Sequence, residues 1–329
     1  MARVFSGIQP SGEIHIGNWL GALRNWVALQ DQHECLYCIV DQHAITGKYD
    51  AASLATRTRE MAVGLLAAGV DPSRATLFVQ SHVPAHATLS WLLTTLTPVG
   101  ELERMTQYKD KAQRFESIPA GILVYPVLMA ADILVYRADA VPVGEDQIQH
   151  LELAREIARK WNHEFSPAEA FFPEPQPIVT GAKRIVGLDG SAKMSKSLGN
   201  TIGVTEAPEQ IWEKLRPAMT DPARVTKKDP GTPEICNIYA LHRHFSPPAT
   251  VEQVAVNCRS AAWGCIECKR VLADNMVTTL APVRERALEL AADPARVTEV
   301  LADGAATARR LATETMRTVT DRMGFLPEG

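Results

Sequence analysis

The sequence predicts an α/β protein: a parallel sheet with crossover helices, followed by an all-helical region. Three observations carry the prediction. In the first half, short apolar runs alternate with longer amphipathic ones, the pattern of βαβ units with right-handed crossovers. Beyond Val204 the pattern is helical almost throughout. A length of 329 residues suits about two domains. The expected cut falls after Val186, giving residues 1–186 to the sheet domain and 187–329 to the helical one.

Taken in order, residues 4–8, 35–40 and 76–80 read as buried strands, with helices over 18–32 and 51–68 between them. Further helices are expected over 85–96, 100–114 and 120–136. Residues 141–144 suggest a fourth strand, leading into a helix over 145–161. The proline-rich run 172–177 breaks the pattern and marks a connector. A loop rich in Gly, Ser and Lys follows Val186. In the last segment, Val297, Leu301, Ala308, Leu311, Met316, Val319 and Met323 recur near helical spacing.

Apolar residues make up 46% and charged residues 22%, as in an ordinary soluble globular protein. The net charge of −4 excludes a chain that coats nucleic acid, DNA included, through bulk positive charge. Residues 1–186 hold 16 basic and 20 acidic side chains, whereas 187–329 hold 18 of each. A placed RNA contact is therefore expected in the second half. No secretory leader is visible at Met1, and the most apolar stretch, 121–136, contains Pro126 and Asp132. It is too short to span a membrane. The expected setting is the cytoplasm, where six cysteines stay reduced and suggest metal binding or catalysis before disulfides.

Four segments carry chemistry. The first strand runs into Gln9-Pro10-Ser11-Gly12 and then His15-Ile16-Gly17-Asn18. A tight turn before a helix start suits phosphate, with His15 and Asn18 as added donors and Gly17 admitting a flat base. A simple strand–turn–helix junction would look the same. Lys193-Met194-Ser195-Lys196-Ser197 places two lysines and two hydroxyls where they could cradle a triphosphate, or form a solvated basic loop. Asp132 is the one carboxylate in the apolar run 123–135. It either faces solvent or, if buried, accepts a hydrogen bond from a donor such as an indole N–H. Cys236-x21-Cys258-x6-Cys265-x2-Cys268 has the form of a tetrathiolate site for structural Zn²⁺ or a [4Fe–4S] cluster, and spacing alone does not choose. Cys35 and Cys38 lie three apart in a strand, on opposite faces, and are expected to be core thiols.

The two signatures together, His15–Asn18 and Lys193–Ser197, make the chain resemble the class I aminoacyl-tRNA synthetases. The segments 5–12, 40–44, 100–107, 129–133 and 143–147 narrow the resemblance to the bacterial tryptophanyl-tRNA synthetases, over nearly the whole chain. Asn18 stands where the broader signature has a second histidine.

The resemblance implies a Rossmann-type catalytic domain and a C-terminal all-helical, anticodon-binding domain. It implies ATP, with Mg²⁺, held by Gln9, Pro10, Ser11, Gly17 and Asn18, by Gly144, Glu145, Asp146 and Ile185, and by the lysine loop Lys193, Met194, Ser195, Lys196 and Ser197. Lys111 is implied as a phosphate contact, though by itself it reads as a surface lysine. The catalytic group implied is Lys193, Lys196, Ser195 and Lys111, with His15 and Gln9. For L-tryptophan the resemblance implies Asp132 on the indole and Tyr125 and Gln147 on the ammonium. His43 and Gln107 would stand near the carboxylate. Met129, Phe5, Val141 and Val143 are either pocket walls or plain core. The partners implied are the tRNA for tryptophan and a second copy of the chain, with no membrane or DNA. A subset of the family has a four-cysteine [4Fe–4S] motif with a first gap one residue longer. Arg224, Lys227, Lys228, Lys269 and Arg270 give local basic density for the anticodon arm, or ordinary surface. A tyrosyl-tRNA synthetase and a paralogue that does not charge tRNA are the alternatives.

Overall fold

The computed structural model describes residues 1–113, 115–144, 147–179, 185–190 and 193–327. Five parallel strands, β1 (Arg3–Ile8), β2 (Glu34–Ile39), β3 (Ala75–Val79), β4 (Ala140–Val143) and β5 (Gln176–Val179), form one sheet. Their order is β3-β2-β1-β4-β5. The interior strand β2 is apolar and buried on both faces from Cys35 onward, as a parallel sheet covered by helices requires. Cys35 and Cys38 are buried on its two sides, as expected. Beside Cys35, Tyr37 stacks on Trp26 at 4.5 Å; beside Cys38, Leu36 joins the main core.

The chain order reverses between β1 and β4, so the crevice of a doubly wound sheet opens at their carboxyl ends. Gln9–Gly12 follow β1, and Gly144 follows β4. Gly12 has φ +99°, a conformation that glycine adopts without strain. The carboxyl-end crevice is therefore edged by residues the sequence singles out for nucleotide binding.

Several elements differ from expectation. The helix expected over 18–32 is α1 (Ile16–Asn18), a π-helical turn at Trp19–Leu23, and α2 (Arg24–Leu29). The helix expected over 100–114 splits at Met105, whose extended backbone separates α6 (Val99–Arg104) from α7 (Thr106–Ala112). The proline-rich connector runs into β5, an edge strand in which Pro177 pairs with Val141. An edge position needs no outward N–H, so proline is tolerated. Between these lie α3 (Asp41–Ala44), α4 (Ala51–Ala67), α5 (Ala85–Thr94), α8 (Ala120–Leu134) and α9 (Ile148–Phe165). The remainder is α10 (Pro208–Leu215), α11 (Asn237–Phe245), α12 (Pro248–Arg259), α13 (Cys265–Ala292) and α14 (Pro294–Arg322).

The chain folds as two compact units. One comprises residues 1–12, 24–181 and 293–329; the other comprises 13–23 and 182–292. This division departs from a single cut after Val186 in two places. First, α14 belongs with the sheet unit. Ala305, Ala308, Leu311, Ala312 and Val319 enter its core, and Gly304 lies so close to β3 that an added Cβ would meet the Leu77 carbonyl oxygen. The helix thereby covers a sheet edge that would otherwise be exposed. Second, residues 13–23 belong with the helical unit. Ile16 N–H donates to Ile202 O at 2.9 Å, and Val204 N–H donates to Ile14 O at 2.9 Å. Among the described residues, no helix is long and apolar enough to cross a membrane.

Candidate active site

In the sheet unit, Tyr125, Met129 and Asp132 recur at positions i, i+4 and i+7 of α8, so they form one stripe. Asp132 is 1% exposed, which removes the surface reading. Its Oδ1 accepts from Gln80 Nε2 and from His86 Nδ1, each at 2.7 Å. Its Oδ2 accepts from His43 Nε2 at 2.7 Å. Burial pushes this carboxyl up, yet it lies below its ordinary value, because His43 and His86 stabilise the charged form by proximity and hydrogen bonding. Beyond His86, the chain of hydrogen bonds reaches the Tyr136 hydroxyl at 2.7 Å.

The other expected amino-acid contacts gather on the same unit. His43 meets the Tyr125 ring edge-on at 6.4 Å. The Tyr125 hydroxyl bonds His150 Nε2 at 2.9 Å, and burial pushes this phenol up to about 12. Lys111 Nζ lies 4.0 Å from the centre of the Tyr125 ring, a cation–π contact that gives it more than a surface role. Phe5, Val141 and Val143 are buried in the core, with Phe5 stacked 5.7 Å from Tyr136; Met129 packs against that core half-buried. Gln107 lies half-buried on α7, and Gln147 just precedes α9. Gln9 is exposed and Pro10 buried, with Ser11 N–H closing the turn onto Gln9 O at 2.8 Å. Glu145 and Asp146 lie outside the described residues.

In the helical unit the two signatures meet. His15 caps α1, its Nδ1 accepting from Asn18 N–H at 3.3 Å. Burial, then Lys196 and Lys193, push its imidazole down to about 4. A neutral ring that accepts at Nδ1 carries its proton on Nε2, so His15 offers one outward donor. Met194 is buried against Gly17, where an added Cβ would meet the Met194 Cβ at 3.4 Å and His15 Nδ1 at 2.9 Å. Gly17 thus makes room for protein side chains, a use that the sequence reading assigned to a ligand base. The lysine loop is tied at three points. Lys193 bridges Val186, Met194 N–H donates to Ile185 O at 3.0 Å, and Ser195 N–H donates to Asn200 Oδ1 at 2.7 Å. Lys193 is exposed, and Lys196 begins a short 3₁₀ turn over Lys196–Leu198, which includes Ser197.

With this geometry in view, the comparisons decide the family. The family described as tRNA synthetases class I (W and Y) matches residues 1–281. The chain belongs to it. A tryptophan–tRNA ligase of Deinococcus radiodurans is 55% identical over 331 residues, covering 99% of each chain. Another from Parasynechococcus marenigrum is 45% identical, covering 98% of each. The crystal structure of tryptophanyl-tRNA synthetase from Campylobacter jejuni, complexed with ADP and tryptophan, matches with a TM-score of 0.90. It is 34% identical, and the match covers 98% of this chain and 100% of that one.

In this class I synthetase, Cys236, Cys258, Cys265 and Cys268 line one cavity of about 20 Å³ together with Asp221, Arg224 and Trp263. Burial is the main cause that raises Cys268, to about 12, with smaller contributions from the other three thiols. Four thiols around one enclosed space are a donor set that suits a metal centre. Among the described residues, however, no group of three or more His, Cys, Asp or Glu is gathered as one metal ion requires.

Of the five basic residues, Lys269 departs from both expectations. Lys269 is 5% exposed, and its ammonium donates to the carbonyls of Arg216 and Ala218 at 2.8 and 2.6 Å. It is a structural cation. Arg270 lies over Trp212 at 3.4 Å, and Arg224 donates to the carbonyls of Lys227 and Trp263. Lys227 and Lys228 keep exposed side chains. The sequence reading missed Gln80, His86 and Tyr136 around Asp132, and Asn200 beneath the lysine loop. A Gln at a strand end or a His in the first turn of a helix gives no signal until α5 packs on α8.

Proposed function

We propose that the chain activates L-tryptophan with ATP, forming tryptophanyl-adenylate and pyrophosphate, and transfers tryptophan to its tRNA. The observation that carries this is Asp132, a buried, ionised acceptor on a core-facing helix. Indole carries a donor and no acceptor, so a fixed carboxylate favours it over an unsubstituted ring. A site built on such a bond rejects analogues lacking the group by roughly 10⁴–10⁵.

The tryptophan carboxylate attacks the α-phosphorus of ATP in line, and pyrophosphate leaves. No protein nucleophile is needed. Catalysis is then positioning, together with neutralisation of charge building on the leaving group. Lys193, Lys196 and Lys111 supply that positive charge alongside Mg²⁺, with Ser195 as a donor. His15 offers Nε2–H, and Gln9, Pro10, Ser11 and Gly144 border the crevice that would take the nucleotide. Gly17, Asn18, Ile185, Met194 and Ser197 complete the proposed nucleotide set, with Glu145 and Asp146 assigned by resemblance. Tyr125, Gln147, His43 and Gln107 are assigned to the amino-acid backbone, and Phe5, Met129, Val141 and Val143 to the ring.

The helical unit is proposed to read the tRNA, in a homodimer working in the cytoplasm. Cys236, Cys258, Cys265 and Cys268 would hold a [4Fe–4S] cluster, with structural Zn²⁺ as the alternative. Either would supply a cross-link that orders the surrounding loops. Iron, sulfide and zinc analysis of the purified protein separates the two. ATP–pyrophosphate exchange across all twenty amino acids tests the activity. Exchange with tryptophan alone is expected; exchange with tyrosine, or with none, overturns the reading.

A further inference from the structure

We propose that His86 and Tyr136 form a positioning pair that leaves Asp132 one open acceptor site, on Oδ2, and thereby set its selectivity for a single N–H donor. The inference rests on the tryptophan reading above and deepens it.

Each oxygen of an ionised carboxylate offers two acceptor positions. Gln80 and His86 fill both positions on Oδ1. Among the described residues, Oδ2 receives one bond, from His43. One position on Oδ2 remains. Without His86, Oδ1 would also have a free position, and the carboxylate could turn or hold a water in place of the ligand.

The protonation pattern follows from the same chain. Asp132 accepts, so His86 Nδ1 must carry a proton. Nε2 of a neutral ring then accepts, and the Tyr136 hydroxyl donates to it. Tyr136 is fully buried, and burial, followed by Cys38 and Asp132, raises its phenol well above its ordinary value, so the proton stays on oxygen. Gln80 is fixed separately: its Oε1 accepts from Gln42 N–H at 3.0 Å, which directs its amide nitrogen to Asp132. The titratable groups facing Asp132 are His43 from α3, His86 from α5, Cys38 from β2, and Tyr136 just beyond α8.

The test compares L-tryptophan with its benzothienyl analogue, in which sulfur replaces the indole N–H, by pyrophosphate exchange on the full-length protein. Wild type should prefer tryptophan strongly. In His86→Leu that preference should shrink by about tenfold, the worth of a hydrogen bond to a charged acceptor. KM for ATP should hold. The acid limb of kcat/KM for tryptophan should move to higher pH, because one bond to the charged form is lost. His86→Asn, whose amide can stand in for Nδ1, should restore both. Tyr136→Phe keeps His86 in place and should give a smaller loss of preference, which covers a His86→Leu protein that does not fold. An equal fall for both amino acids, or no change in preference in either His86→Leu or Tyr136→Phe, overturns the proposal. A wild type that does not use tryptophan overturns the functional reading itself, and the positioning role with it.

Discussion

Asp132 is buried on a core helix and takes three side-chain hydrogen bonds, each at 2.7 Å. Lys193 is exposed on a loop held by two backbone contacts and one asparagine. The first arrangement suits recognition, where a single geometry must be kept and every buried polar atom needs a partner. The second suits charge neutralisation, where a lysine works as a mobile point charge and a loop can close over its ligand. Selectivity and rate should therefore fail separately when each region is damaged.

The largest expected effect is on rate. Lys196→Ala should lower tryptophan activation by about 10²–10³, the range for losing one preorganised charge-stabilising group. Tryptophan affinity, read by equilibrium titration, should stay nearly intact. Equal losses in both would break the separation. Asp132→Asn should do the reverse. The amide keeps one acceptor and turns a donor either on His43 or on His86 and Gln80, and tryptophan binding should weaken by roughly 10–100-fold. The unfolding midpoint should also fall, because a buried hydrogen-bond donor loses its acceptor.

Asn200→Ala sharpens the comparison from the loop side. Asn200 accepts from Ser195 N–H at 2.7 Å and donates to Asp189 at 3.0 Å. Its loss should raise KM for ATP by roughly 5–15-fold, the net worth of one or two hydrogen bonds, and leave KM for tryptophan alone. Outside both sites, Gly304→Ala should lower stability by about 1–3 kcal/mol, because the new Cβ would overlap the Leu77 backbone on β3. Thermal unfolding reads that change, and exchange kinetics below the midpoint should be unaltered.

What was legible in the sequence follows the same divide. His15 and Lys193–Lys196 stand out as candidates because they sit in short contiguous segments. The strands could be found because a doubly covered sheet demands apolar runs such as Glu34–Ile39. His86 and Tyr136 could not, because their meaning depends on α5 packing against α8. The cut after Val186 missed the assignment of α14 because helical spacing does not say which core a helix packs on, and Gly304, which admits β3, looks like any other gap in a helical pattern. Lys269 read as an RNA contact or ordinary surface because charge in a sequence says nothing about two backbone carbonyls 51 and 53 residues away that accept from it.

The smallest expected effect tests how much of the loop's field reaches the first signature. His15 is pushed from 6.5 down to about 4, by burial first and then by Lys196 and Lys193. Its folded value lies below its unfolded one. Its contribution to stability is therefore complete above pH 6.5 and is lost as pH falls from 6.5 to about 4, where the unfolded chain binds the proton first. Protonation would also remove the Nδ1 lone pair that accepts from Asn18 N–H. An NMR titration of the His15 ring should show it neutral at pH 6. In a Lys193→Ala/Lys196→Ala protein the midpoint should rise part of the way toward 6.5, because the larger cause, burial, remains. A full return would make the lysines the dominant influence, and no movement would mean that the loop's charge is screened before it reaches His15.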